Sequence, residues 1–380
     1  MSRRKTLVIV LAGGAGSRLE PLTNERAKPA VPFAGTYRLV DFPLSNCMHS
    51  GLSDVWVVEQ SNPASLAAHL ANGRPWDLDR TYGGLLVLHP HLGDERGGFH
   101  QGTADALWRN EGLLREHGAD DLVVVSADAV YRLDYGEVLE AHREADADVT
   151  MVTTEVSSSD ASRYGIVQVD GDRVVDYAYK PDEPASTLAT NEVFVFKAER
   201  ALDVIAELGR DADPEEGLGD LGHGLLPQLV SDGRARQHRM RGYWRDVGTR
   251  ESYWQAHMDL LLDPPPLRLD DPDWQILSRP TQRMPARVDE TAQLDRALLS
   301  PGAVVRGRVE RSVLAPGVVV EEGAVVRDSV LLHDVRVESG AVVEHAVLDE
   351  AACVQEGARV IGSEDSVAVL ERRQRVESGS

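Results

Sequence analysis

Two cysteines, Cys47 and Cys353, are all that the 380-residue chain contains, and neither belongs to a C-x-x-C pair. That scarcity excludes a disulfide framework and a cysteine zinc site, and it suits a reducing cytoplasm. Positive charge is also short: 40 lysines and arginines stand against 62 aspartates and glutamates, a formal net charge of −22. Such a field repels polyanions, so neither nucleic acid nor an anionic membrane surface is expected as a partner. Long apolar runs are missing too, and no bilayer-spanning segment is predicted. The opening "MSRRKTLVIVLAGG" places basic residues before an apolar run. That run ends after about six residues in glycines, so it reads as a first strand and not as a leader.

What is present is an ordinary globular composition, 42% hydrophobic and 27% charged, at a length that suits two domains with real cores. "TLVIVLA" (6–12), "DVWVVEQ" (54–60), "DLVVVSAD" (121–128) and "DVTMVTTEV" (148–156) read as buried strands. Between them, "GTADALWRNEGLLREHG" (102–118) carries apolar residues at helical spacing. Alternating strands and helices predict an α/β domain with a mostly parallel sheet over residues 1–262, binding its ligand at strand carboxyl ends. "LLLDPPPLRLDDPDW" (260–274) breaks that pattern, and a linker is expected over 263–287. Beyond it, Val313, Val319, Val325, Leu331, Val337 and Val343 recur every six residues. That period predicts a parallel β-helix of hexapeptide repeats over 288–370, serving packing and assembly. Residues 371–380 read as a polar tail, disordered at its end.

The stretch "LAGGAGSRLEPLTNERAKP" (11–29) follows the first strand directly. Its glycines can bend backbone N–H groups around phosphate oxygens, and Arg18 and Lys28 add two cations beside that nest. The order G-G-x-G-S-R-L, then A-K-P, resembles the signature of the sugar-1-phosphate nucleotidyltransferases. Within them, "AKPAVPFAGTYRLVDFPLSNCMHSG", "GTADAL" (102–107) and "YWRDVGTRESYWQAHMDLL" (243–261) look like the bacterial glucose-1-phosphate adenylyltransferases. The hexad run "RSVLAPGVVVEEGAVVRDSVLL" (311–332) agrees, and the resemblance extends from about Leu7 to Gly362.

The resemblance implies a nucleotidyltransferase domain followed by a left-handed parallel β-helix. It implies attack of a sugar 1-phosphate, most simply glucose 1-phosphate, on the α-phosphorus of a nucleoside triphosphate, most simply ATP. It places Leu11, Ala12, Gly13, Gly14, Gly16, Ser17, Gly102 and Thr103 against the nucleotide. Arg18 would face the departing pyrophosphate and Lys28 the transition-state charge. Gly165, Lys180, Thr190 and Glu192 would meet the sugar phosphate, and Asp128 and Asp246 would hold Mg2+. Without the resemblance, each of those two aspartates reads as a strand-end or turn residue. Asp134 reads as structural. A homo-oligomer, in the relatives a tetramer, and a cytoplasmic location are also implied.

Several motifs depart from the family pattern. G-D-H is here Ala127-Asp128-Ala129, and E-K-P is Tyr179-Lys180-Pro181. A-S-M-G is Ala189-Thr190-Asn191-Glu192, where Glu192 is expected to restore the lost acidic acceptor for sugar hydroxyls. The base-side P-A-Q-Q is Pro90-His91-Leu92-Gly93, and the activator-linked lysine of G-G-K is Thr36. D-F-G-K is Asp220-Leu221-Gly222-His223, with Asp220 read either as a sugar contact or as a cap. These changes leave two alternatives: a paralogue with another nucleotide or sugar 1-phosphate, and a catalytically weak regulatory subunit. Acyl transfer on the β-helix would need His333 or His345 as base, and both read as solvent-exposed turn residues.

Overall fold

The computed structural model describes residues 4–14, 16–90, 98–213 and 215–379. Its central sheet has nine strands. Gly84–Leu88, Asp54–Glu59, Thr6–Ala12 and Asp121–Ser126 lie side by side and parallel; then come Leu188–Lys197, Val149–Glu155, Ala235–Arg239, Arg173–Tyr179 and Gly165–Asp170. Leu188–Lys197 and Arg173–Tyr179 run against their neighbours, so the sheet is parallel on one side and mixed on the other. Along Thr6–Ala12, Leu7 and Ile9 join one apolar core while Val8, Val10 and Ala12 join another. Both faces of the strand are covered, which is why its residues read as a continuous apolar run. The segment expected as one helix is two, Thr103–Arg109 and Glu111–His117. They break at Asn110, whose side-chain amide donates back to the Ala106 carbonyl. Among the described residues, no helix is long and apolar enough to cross a membrane.

From Arg287 onward the chain winds into a left-handed parallel β-helix of three sheets, with six, five and five strands. The repeat is not a strict hexad. Strand partners in the central coils lie 17 residues apart, as in Val313 with Val330 and Arg336 with Cys353. The core takes Leu314, Val320 and Val326, then Leu331, Val337 and Val343, so the steps run six, six and five. Val319 and Val325, expected inside on the strict period, are only half-buried. The short step falls where Arg311, Asp328 and His345 adopt φ near +40 to +47°, a left-handed turn that closes the corner with one residue fewer.

The expected polar tail is instead part of the fold. Arg375–Val376 pairs in parallel with Cys353–Val354, and Val376 packs against the β-helix core. Arg372 ties the same coil to Glu25 and Glu350. The sequence is polar there because a terminal coil has one face in water, although its backbone still completes a sheet.

One β-helix side packs against the sheet domain. Val330, Leu332 and Val347 share a core with Leu19, Leu22, Tyr253 and Trp254. The Trp254 indole donates to the Asp328 carbonyl at 2.7 Å, and Arg26 meets Asp349 at 2.8 Å with both side chains buried. His345 lies against the Trp254 ring, and His333 is half-buried, so neither histidine is the exposed turn residue expected. The segment between the domains lies along the sheet domain: Trp274 donates to Asn46, and the Trp76 indole donates to the Leu277 carbonyl.

Candidate active site

The carboxyl ends of Thr6–Ala12 and Asp121–Ser126 stand side by side, because Leu11 pairs with Ser126. The glycine loop leaves one and Asp128 follows the other, so two segments over a hundred residues apart open into one cavity of ≈470 Å³. That volume falls in the range of small-molecule sites. Leu11, Gly13, Gly14, Gly16, Ser17, Arg18, Lys28, Gly102, Thr103, Asp128, Gly165, Lys180, Thr190 and Glu192 all line it. Ala12 does not; it is buried in the core behind the loop. Gly16 has φ +69°, and a Cβ there would come within 2.9 Å of Thr23 Cγ2 and 3.1 Å of Lys28 Cβ. The loop can therefore close onto Lys28 only with glycine at that position.

Asp246 is delivered by a separate two-stranded ribbon. Trp244–Asp246 pairs antiparallel with Ala129–Tyr131, in register Asp246 to Ala129, which sets it beside Asp128. The buried Lys28 ammonium joins the two carboxylates, at 3.0 Å from Asp128 Oδ2 and 3.8 Å from Asp246 Oδ1. Ser126 donates to Asp128 Oδ1 at 2.6 Å, and Arg163 lies 3.3 Å from Asp246 Oδ2. Ser126 and Arg163 were missed from the sequence. Their only signal is a position two residues before Asp128 or before the cavity's Gly165.

Electrostatics follow from this arrangement. Burial disfavours the Lys28 charge, yet Asp128 and Asp246 outweigh it and hold its pKa above the ordinary value. Burial alone would raise Asp128, but the Lys28 charge and the Ser126 hydroxyl bring it below the usual range. Asp246 is pushed up by burial and by the charge of Asp128. Glu192 opens into the cavity and is exposed to it, although protein rings it closely. Burial, then Asp128 and Asp246, push it up to about 8, against the pull of Lys180 and Lys28.

The sugar-side residues sit on the mixed half of the sheet. Leu188–Lys197 changes register between Thr190 and Phe194, and Glu192 occupies that bulge with φ +56°. A bulge re-aims a side chain, here into the cavity. Tyr179, Asp220 and Lys180 line the same region, with Tyr179 donating to Asp220 Oδ2 at 2.6 Å. Asp220 also accepts from the Thr103 backbone N–H, so it caps and lines the site at once. Asp134 has the structural role expected, capping Tyr135–Glu144 through Gly136 N–H. His91, Leu92 and Gly93, where base readout is altered, lie outside the described residues.

The donor set suits a hard divalent cation. Among the described residues no group of three or more His, Cys, Asp or Glu side chains gathers as a metal cage. Two carboxylates, one just past the strand Asp121–Ser126 and one at the end of Trp244–Asp246, already share one ammonium and match an ion that takes few protein oxygens and completes its shell with water and phosphate.

Comparison with known proteins agrees with this geometry. A family model described as nucleotidyl transferase matches residues 7–262, and one described as GlmU-like, C-terminal hexapeptide matches residues 279–379. The glucose-1-phosphate adenylyltransferase of Thermomicrobium roseum is 45% identical over 300 residues, 78% of this chain and 69% of that protein. That of Thermotoga maritima is 40% identical over 325 residues, covering 85% and 76%. That of Clostridium acetobutylicum is 38% identical over 328 residues, 86% of each. With a phosphate-type loop, a lysine-bridged carboxylate pair and a β-helix behind them, the chain belongs to the glucose-1-phosphate adenylyltransferase family of nucleotidyl transferases.

Proposed function

We propose that the chain transfers the adenylyl group of ATP to glucose 1-phosphate. An oxygen of the sugar phosphate attacks the α-phosphorus, a new P–O–P link forms, the bond to the β-phosphate breaks, and pyrophosphate leaves with its electrons. The observation that carries this reading is the Lys28 ammonium between Asp128 and Asp246, in the cavity that also holds Lys180. The loop N–H groups of Gly13, Gly14 and Gly16 would take the triphosphate, and Arg18 would follow the pyrophosphate. Lys28 would shift from its carboxylates toward the charge that grows on the reacting phosphoryl group. Lys180 would hold the sugar phosphate opposite it. Phosphoryl-type transfer needs such positioning and charge stabilisation more than covalent help.

Asp128 and Asp246 would hold Mg2+, which would neutralise phosphate charge on the bound nucleotide. A cytoplasmic homo-oligomer, with the β-helix as an assembly surface, is the corresponding cellular reading.

A second reading has its own support. Tyr179 and Glu192 change the sugar side, so a different sugar 1-phosphate would be accepted by the same mechanism. Pyrophosphate release with Mg2+, each nucleoside triphosphate in turn and a panel of sugar 1-phosphates separates the two. Fastest release with ATP and glucose 1-phosphate supports the first; another optimum replaces the substrate and keeps the chemistry.

A further inference from the structure

We infer that Tyr179 is a positioning residue for Lys180, anchored through Asp220 to the nucleotide side of the cavity. This rests on the reading that Lys180 receives the sugar phosphate. The Lys180 ammonium donates to the Tyr179 hydroxyl at 2.7 Å and lies 4.5 Å from the centre of the same ring. The hydroxyl donates to Asp220 Oδ2 at 2.6 Å, and Asp220 Oδ1 accepts from the Thr103 N–H at 3.1 Å. Thr103 Oγ1 in turn accepts from the Leu221 N–H at 2.9 Å. A continuous hydrogen-bonded chain thus runs from Lys180 to the segment that begins with Gly102 and Thr103.

The ring itself is held from two further sides. His223 meets it edge-on, with centroids 4.8 Å apart. A Cβ at Gly222 would fall 2.2 Å from Tyr179 Cδ2, so the ring occupies the space of the missing side chain. Two of the positions where the sequence departs from the E-K-P and D-F-G-K motifs, Tyr179 and His223, are therefore in contact.

A phenol suits this task for a physical reason. Its oxygen can donate to a carboxylate and accept from an ammonium at once. It fixes the lysine without cancelling its charge, which stays available to a phosphate. A lysine has four rotatable bonds, and ordering it beforehand removes entropy that substrate binding would otherwise lose. Burial and the neighbouring Asp220 hold the phenol well above its ordinary pKa, so the proton it donates stays in place.

The test is Tyr179→Phe, which keeps the ring and removes the oxygen, beside Lys180→Gln. Michaelis constants for glucose 1-phosphate and for ATP, kcat and melting temperature are measured on each full-length protein. In Tyr179→Phe the constant for glucose 1-phosphate is expected to rise roughly tenfold, the worth of one charge-assisted hydrogen bond. The constant for ATP and the melting temperature should stay put, and kcat should fall less than the sugar constant rises. A merely structural tyrosine would move the melting temperature or both constants together. If Lys180→Gln raises the sugar constant and Tyr179→Phe does not, Tyr179 positions nothing and the inference fails. If Lys180→Gln leaves the sugar constant unchanged, the reading of Lys180 fails and takes the inference with it. Should the Phe variant not fold, Gly222→Ala displaces the ring from Asp220 and must give the same sugar-selective rise; an unchanged sugar constant there overturns the inference.

Discussion

Lys28 donates its buried ammonium to Asp128 across 3.0 Å, joining the segment after the glycine loop to the end of a strand a hundred residues later. Asp246 completes the arrangement at 3.8 Å. Neither carboxylate can lose this cation without facing the other's charge in a poorly solvated place.

Replacing Lys28 with Met removes that cation and any stabilisation it gives the transition state. The expected loss is roughly 10²- to 10³-fold in kcat, the usual scale for one preorganised electrostatic contact. Steady-state rates at saturating substrates check it. A loss under threefold would mean that Lys28 only balances the two aspartates.

Glu192 holds φ +56° where a glycine would be unstrained. Left-handed backbone costs a side-chain-bearing residue roughly 1–2 kcal/mol, against about 0.5–1 kcal/mol of added unfolded-state freedom in glycine. Glu192→Gly should therefore leave stability equal or up to about 1 kcal/mol higher. The same change should raise the Michaelis constant for the sugar phosphate, since the bulge aims this carboxylate into the cavity. Denaturant titration and substrate kinetics on one preparation decide whether strain is exchanged for function here. An unchanged sugar constant would remove Glu192 from the sugar site.

Arg26 and Asp349 form a buried pair across the domain boundary, only two residues from Lys28. Arg26→Met strands the carboxylate, at a cost of about 3–5 kcal/mol. Adding Asp349→Leu should recover most of that loss, because the penalty lies in the uncompensated charge. A double variant no more stable than the single one would contradict this. The pair is invisible in the sequence, where the two residues stand 323 positions apart.

His142 and His257 are buried, and burial pushes both down to about 4. Each stays neutral in the fold, and His257 Nε2 accepts from the Ala34 N–H at 3.0 Å. The unfolded chain, with histidines near 6.5, binds more protons between pH 6.5 and 4. Stability is therefore full above about pH 6.5 and falls on acidification, by roughly 3 kcal/mol per histidine at pH 4. Denaturation of the wild type and of His142→Gln at several pH values tests this. The wild type should lose more than the variant below pH 6, and parallel curves would contradict it.

The four buried strands and the glycine loop were legible because continuous Val, Ile and Leu runs and clustered glycines report on neighbours close in sequence. The β-helix was legible as a repeat, while its phase was not. A 17-residue coil differs from three hexads by one residue, and that residue depends on a left-handed corner at Arg311, Asp328 or His345. Lys28, Asp128 and Asp246 were named from motifs, but their convergence arises from the pairing of Asp246 with Ala129. Ser126, Arg163 and the Tyr179–Asp220 bond were not legible, since each depends on which strands become neighbours. The terminal coil was misread because polarity reports exposure and not backbone pairing.

The most direct test of adenylyl transfer is identification of the sugar nucleotide formed from ATP, glucose 1-phosphate and Mg2+ by the wild type and by Lys28→Met. ADP-glucose and pyrophosphate in equal amounts from the wild type, with the variant slowed by at least about 10²-fold, is the expected result. Pyrophosphate without ADP-glucose, or no product from this pair while another sugar phosphate or nucleotide turns over, would contradict the assignment.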